Sequence, residues 1–181
     1  MTRLSEKIIA IHDALDELDV PHAFGGALAL AWCTERARGT IDIDLNVFVD
    51  TSRAGEVLAA LPSSVVWSAV DLENLEREGQ ARLWWDDTPV DVFLDTAEFH
   101  AQVAERCRRE QFAGAEVPFL SCSDLAVFKA MFNRTKDWAD LEEMAAAGTL
   151  DVDRAVGVLT RYVDPADERV ARLRGLASTA S

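Results

Sequence analysis

Asp42 and Asp44 stand two residues apart in the run Ile41-Asp42-Ile43-Asp44-Leu45-Asn46-Val47-Phe48-Val49. In an extended chain, side chains alternate between faces, so both carboxylates share one face and Ile41, Ile43, Leu45, Val47 and Val49 share the other. Two like charges held side by side are unfavourable unless a cation neutralises them or one takes up a proton. Magnesium suits such a pair, because it prefers oxygen donors and takes one or two carboxylates together with substrate phosphates. Asp91 repeats the pattern in Val90-Asp91-Val92-Phe93-Leu94, with Val90, Val92 and Leu94 on the opposite face. If the two strands are neighbours on one core, all three carboxylates converge. That would be a site for two metal ions, which clamp the attacking and leaving oxygens of a phosphoryl transfer. The plainer reading of any Asp-x-Asp strand is a solvated polar face.

Gly25-Gly26 lies sixteen residues before Asp42 and opens an alanine- and leucine-rich segment, 27–33, expected to be a short helix. Glycines let backbone amides approach a phosphate, and a helix N-terminus favours anions; taken in isolation, a Gly-Gly reads better as a plain tight turn between two helices. Lys129 falls at the edge of an apolar stripe made by Leu125, Phe128 and Phe132 on an expected helix. It is there either as a surface lysine or as a phosphate-binding point charge. Lys136 and Asp140, four apart, can simply pair along a helix.

The order Phe24-Gly25-Gly26, short helix, Arg38-Gly39-Thr40-Ile41-Asp42-Ile43-Asp44, then a later strand with Asp91, resembles the nucleotidyltransferase superfamily that includes DNA polymerase beta. It is most similar to the small AbiEii-like branch, often found as toxins of toxin–antitoxin pairs. The similarity continues through Ser121-Cys122-Ser123-Asp124-Leu125-Ala126-Val127-Phe128-Lys129-Ala130 and 133–141, and so covers most of residues 20–145. The resemblance implies a metal-dependent transfer of a nucleoside monophosphate from an NTP to an acceptor hydroxyl, with two Mg2+ ions. By the same resemblance Asp42, Asp44 and Asp91 are metal ligands and catalytic, and Gly25, Gly26, Arg38, Thr40 and Lys129 bind the nucleotide. Lys129 and Asp140 complete the catalytic set, with Asp137 as the alternative to Asp140. The implied acceptor is a tRNA 3′ end or a small hydroxylated molecule such as an aminoglycoside, and an antitoxin protein is an implied partner. The competing class is a catalytically degenerate module that binds a nucleotide or a partner.

The elements that must position these residues read as follows. An amphipathic helix is expected over 4–18, from Leu4, Ile8, Ile11, Leu15 and Leu18. Further expectations are a strand over 41–49, a helix over 54–61 stopped by Pro62, a strand over 65–70, and strands 82–85 and 90–94 joined by the turn 86–89. Residues 97–108 read as a helix and 112–120 as an irregular connection or short strand. From 121 on the chain reads as helical (121–133, 137–147, 151–162 and 164–176), with a frayed tail over 177–181. The expected class is α/β (α+β): a small mixed sheet flanked by helices, the nucleotidyltransferase fold, over residues 1–110, then a mainly helical portion over 111–181.

The chain of 181 residues carries 32 acidic against 18 basic side chains, a net charge of −14. That balance opposes binding driven by a nucleic-acid backbone, which relies on Lys and Arg displacing counterions, and suits a cationic small substrate or basic protein; the plainer and stronger reading is that an acidic surface serves only solubility. No apolar run approaches the roughly 18 residues of a membrane span, and charged residues interrupt any leader-like stretch near the N-terminus. Cys33, Cys107 and Cys122 are far apart and odd in number, which reads as reduced thiols in a cytoplasmic protein. His12, His22 and His100 lack ligand spacing, and Trp84-Trp85 reads as one ring in the core and one at the surface, where it can stack on a base.

Overall fold

In the computed structural model, residues 2–36 and 39–177 are described; Arg38 and the tail 178–181 lie outside them. The fold is mixed α/β, with a six-stranded mixed sheet and, among the described residues, nine α-helices. It divides into two units, one made of residues up to 26 and 39–120, the other of residues 27–36 and 121 onward. The division therefore falls at Leu120–Ser121, ten residues beyond the expected 110, and returns an early segment to the second unit.

The first unit contains α1 (Leu4–Asp16), β1 (His22–Phe24), β2 (Ile43–Asp50), α3 (Ala54–Ala60), α4 (Ala69–Glu78), β3 (Gln80–Trp85), β4 (Thr88–Asp95), α5 (Glu98–Val103), β5 (Arg108–Phe112) and β6 (Ala115–Phe119). α2 (Gly26–Thr34) starts on its last residue before the break. The strands lie in the order β3-β4-β2-β1-β6-β5. β2 runs parallel to β4 and antiparallel to β1, and β3 is the antiparallel edge beside β4. One face is the core: Ile43, Leu45, Val47, Leu83, Val90, Val92 and Leu94 are fully buried, as are Ile8, Ile11 and Leu15 of the α1 stripe. Lys7 of α1 is buried too, because its amine donates to the Trp85 carbonyl (2.7 Å) and Thr88 Oγ1 (3.1 Å) beside Asp86 (3.3 Å). A buried ammonium persists only when so satisfied.

Three expectations change. The strand over 65–70 is a helix start: Ser68 and Asp71 cap each other's backbone amides, opening α4, which ends on Gly79 at φ 68°. A capping box outweighs the β propensity of Val65, Val66 and Val70, and only Val66 keeps a bridge, to Trp84. Residues 108–119, read as a helix end and an irregular stretch, form the β5–β6 hairpin around Ala113-Gly114. β2 begins at Ile43, leaving Ile41 78% exposed and Asp42 just before the strand.

The second unit packs most of α2 with α6 (Cys122–Phe132), α7 (Thr135–Ala146), α8 (Val152–Leu159) and α9 (Glu168–Ala177). Its core holds Leu30, Leu125, Trp138, Leu141, Met144, Leu159, Val170 and Leu173. Cys33 of α2 and Cys122 of α6 form a disulfide with Cα atoms 5.5 Å apart, so the expectation of three reduced thiols is corrected; Cys107 is the cysteine outside this bridge. The two partners are 89 residues apart in sequence, and helix packing rather than spacing brings them within bridging distance. No helix among the described residues is long and apolar enough to cross a membrane.

Candidate nucleotidyl-transfer site

Asp44, Asp91 and Arg82 are direct neighbours across three strands: Asp44 pairs with Asp91 in the parallel β2–β4 ladder, and Asp91 with Arg82 in the β3–β4 hairpin. Residues directly opposite each other point to the same face, so the three side chains form a row on the face away from the apolar core. Arg82 grips Asp91 with a fork of two hydrogen bonds, Nε to Oδ1 and Nη2 to Oδ2, both 2.7 Å. Asp91 holds the guanidinium above its ordinary pKa, by hydrogen bond and then by charge, and the charges of Asp42 and Asp44 add to this. Asp42 lies two residues before Asp44, and its Oδ1 accepts from Thr40 Oγ1 at 2.5 Å.

The glycine turn closes over Asp44. The Gly25 amide donates to the Asp44 carbonyl (2.8 Å), which fixes the turn against β2. Gly26 has φ 53°, and a Cβ there would stand 1.7 Å from Asp44 Oδ2. The chain thus passes directly over the carboxylate, an approach open only to glycine.

Among the described residues no three His, Cys, Asp or Glu side chains are gathered as a ready metal shell. The donor chemistry nevertheless fits a hard divalent cation: all three groups supply carboxylate oxygens, two on paired positions, and Arg82 offsets the charge of only one of them. Trp84 lies two residues along β3 from Arg82, on the same face and 47% exposed, with Val66 and Pro89 as its cross-strand neighbours.

The same face changes character further along. His100 of α5 lies 3.3 Å from Asn46 Oδ1 and 3.6 Å from Asp95 Oδ1, a buried oxygen with no hydrogen-bond partner among the described residues. Burial and the nearby Asp50 push Asp95 up to about 6, while burial lowers His100 to about 4. His22 is likewise lowered by burial to about 4, and its ring accepts or donates 2.9 Å from His12. A histidine with a lowered folded pKa stabilises the fold above its unfolded value of 6.5 and loses that stability as pH falls towards 4. Asp95 acts oppositely: its contribution is present at low pH and lost as pH rises through about 6. With two histidines against one aspartate, stability should fall between pH 6.5 and 4. His100→Gln should flatten that fall by up to about 3 kcal/mol, read from urea unfolding at a series of pH values.

In the second unit Lys129 is 6% exposed and is not a surface lysine. Its amine meets Asp140 Oδ2 at 2.5 Å and Asp137 Oδ1 at 3.8 Å. Asp137 is chiefly engaged by Arg134, whose Nε and backbone amide donate to it at 2.7 and 3.1 Å. Of the two candidate aspartates, Asp140 is therefore the direct partner of Lys129, and Asp137 caps α7. Of the expected stripe beside Lys129, Leu125 is buried and Phe132 is exposed. Asp140→Ala should cost about 3 kcal/mol, the low end for a broken buried pair, because among the described residues only Asp137, at 3.8 Å, is then left beside the buried ammonium. Lys129→Met with Asp140→Leu should come close to neutral in the same denaturation experiment, since both charges leave together.

A cavity of about 370 Å3 in the first unit is lined by residues that include Asp16, His22, Phe48, Glu105, Cys107 and Arg109, but by none of Asp42, Asp44 and Asp91. Arg82 and the His100–Asp95 pair were not singled out from sequence. The signal for Arg82 was present, because counting outward from the turn Asp86-Asp87 sets it opposite Asp91. His100 and Asp95 meet through the placement of α5, which no local pattern encodes.

No family model and no curated protein matches the sequence. Solved structures do share its architecture over nearly its whole length. The solution structure of the antibiotic-resistance factor ANT(2'')-Ia is 17% identical, covers 97% of both chains and superposes with a TM-score of 0.63. The crystal structure of ANT(2'')-Ia in complex with adenylyl-2''-tobramycin is 18% identical, with 99% of this chain and 100% of that chain covered and a TM-score of 0.56. An antigenic nucleotidyltransferase-like protein from Paracoccidioides brasiliensis is 13% identical over 93% of this chain and 91% of that one, with a TM-score of 0.47. The fold of this chain is the nucleotidyltransferase fold.

Proposed function

We propose that the chain is a metal-dependent nucleotidyltransferase that moves a nucleoside monophosphate from an NTP to the hydroxyl of a small cationic acceptor. The observation that carries this reading is the pairing of Asp44 with Asp91, with Asp42 at the head of the strand and Gly26 pressed onto Asp44. Asp42, Asp44 and Asp91 would hold Mg2+, which supplies charge neutralisation for the phosphates and the acceptor oxygen. The Gly26 amide, at the start of α2, favours a phosphate oxygen, and Thr40 orients Asp42. Asp91 takes the proton of the acceptor hydroxyl, a role that needs hydrogen-bond reach once Arg82 has moved. The acceptor oxygen then bonds to the α-phosphorus as the bond to pyrophosphate breaks. Lys129, with Asp140, is proposed on the sequence resemblance alone as a nucleotide-phosphate contact of the second unit; Arg38, given the same role by that resemblance, lies outside the described residues.

A small cationic acceptor is supported by the net charge of −14, and by the complex of ANT(2'')-Ia with an adenylylated tobramycin. Trp84 offers an exposed ring beside the carboxylate row on which a sugar or base can stack. The RNA acceptor, the toxin role and the antitoxin partner implied by the sequence resemblance have no structural observation in their favour. Each α-labelled NTP, incubated with Mg2+ and either an aminoglycoside panel or total RNA, should place label on an aminoglycoside. Label on RNA would replace the acceptor, and label on neither would favour the degenerate binding module.

A further inference from the structure

Arg82 is the member of the row that supplies no group to the transfer chemistry above, although its two 2.7 Å hydrogen bonds hold both oxygens of Asp91. We propose that Arg82 is a built-in counter-cation for the row, a positioning residue that keeps the Asp91 carboxylate off the metal until a metal–nucleotide complex displaces it. This rests on the reading of Asp42, Asp44 and Asp91 as metal ligands.

Three observations support it. Both guanidinium bonds take both Asp91 oxygens, so no oxygen of that carboxylate is left without a competing cation. Asp44 and Asp91, paired across β2 and β4 with Asp42 two residues before Asp44, repel one another and are favoured by positive charge when no metal is present. Arg82 provides that charge from the adjacent register position, and the fields of Asp42 and Asp44 reach it as well. Finally, β3 is the sheet edge and the Arg82 side chain is 55% exposed against 17% for Asp91. The arginine can therefore swing into water while the aspartate stays in place. Because a guanidinium stays charged at all accessible pH values, release depends on displacement by another cation and not on proton loss. In consequence the free protein binds metal weakly, and Asp91 becomes available only when ligands bring further positive charge.

The test is Mn2+ binding to the full-length protein without nucleotide, followed by electron paramagnetic resonance of the free ion. Arg82→Gln should bind Mn2+ about tenfold more tightly than wild type, the loss of one charge-assisted fork to a competing cation. Arg82→Lys, which keeps the charge but loses the fork, should also bind more tightly, by a smaller factor. Arg77→Gln, which removes an exposed cation of α4 paired with Glu78, serves as the remote charge control and should leave affinity unchanged. Unchanged or weaker binding in Arg82→Gln, or tightening equal to that of Arg77→Gln, overturns the proposal. If wild type and Arg82→Gln both bind Mn2+ no better than Asp42→Ala/Asp44→Ala, the metal-site reading falls along with it. If wild type binds better than that double variant but Arg82→Gln gains nothing, only the role of Arg82 falls.

Discussion

Asp44→Asn should lower nucleotidyl transfer by at least about a thousandfold while leaving the fold intact. A positioned metal ion contributes several kcal/mol of transition-state stabilisation, and about 1.4 kcal/mol corresponds to a factor of ten in rate. Asparagine has the shape of aspartate, so the Gly25 amide keeps its bond to the residue 44 carbonyl and β2 keeps its pairing with β4. What disappears is the negative charge beneath Gly26. The thermal midpoint should therefore stay near that of wild type, so the loss of turnover can be assigned to chemistry. Initial rates at saturating Mg2+ and NTP, beside a melting curve, are the measurement.

Gly26→Ala should be damaging in both respects. Its φ of 53° lies in the left-handed region, which costs a non-glycine residue roughly 1–2 kcal/mol. The new methyl would also stand 1.7 Å from Asp44 Oδ2 and 2.5 Å from its Cγ, so the carboxylate must move. A displacement of about 1 Å in a reacting constellation can cost around a hundredfold in rate. The expected result is a midpoint lowered by several degrees together with transfer reduced at least about a hundredfold. Gly25→Ala is the useful comparison, since its backbone is not strained and its added Cβ would meet Asn46 Nδ2 at 2.9 Å rather than a carboxylate oxygen. It should cost some stability and less activity.

How much of this was legible depends on how local each signal is. Val90, Val92 and Leu94 alternate with Asp91 because β4 has one dry face, and the same period marked β2 from Ile43 onward. It overran at Ile41, where the Thr40–Asp42 hydrogen bond belongs to a bend and not a strand. The α1 stripe and the helical half from Ser121 were readable for the same reason: apolar residues recur where a helix meets a core. β1 has three residues, too few to show a period, and β5 is a polar edge strand whose sequence Arg-Arg-Glu-Gln-Phe passes as a helix end. The partners of buried charges were the least legible. Lys129 is buried because α7 delivers Asp140, and Arg82 is fixed because the hairpin register delivers Asp91. Both depend on tertiary placement, as does the Cys33–Cys122 bridge.

The most direct test of the central claim follows both products of one reaction. The protein is supplied with Mg2+, an α-labelled NTP and the acceptor identified by label transfer, beside Asp42→Ala/Asp44→Ala. The account predicts pyrophosphate and acceptor-bound α-phosphate in equal amounts from the intact protein and neither from the variant. Release of orthophosphate with a γ-phosphate left on the acceptor, or equal product from the variant, would contradict it.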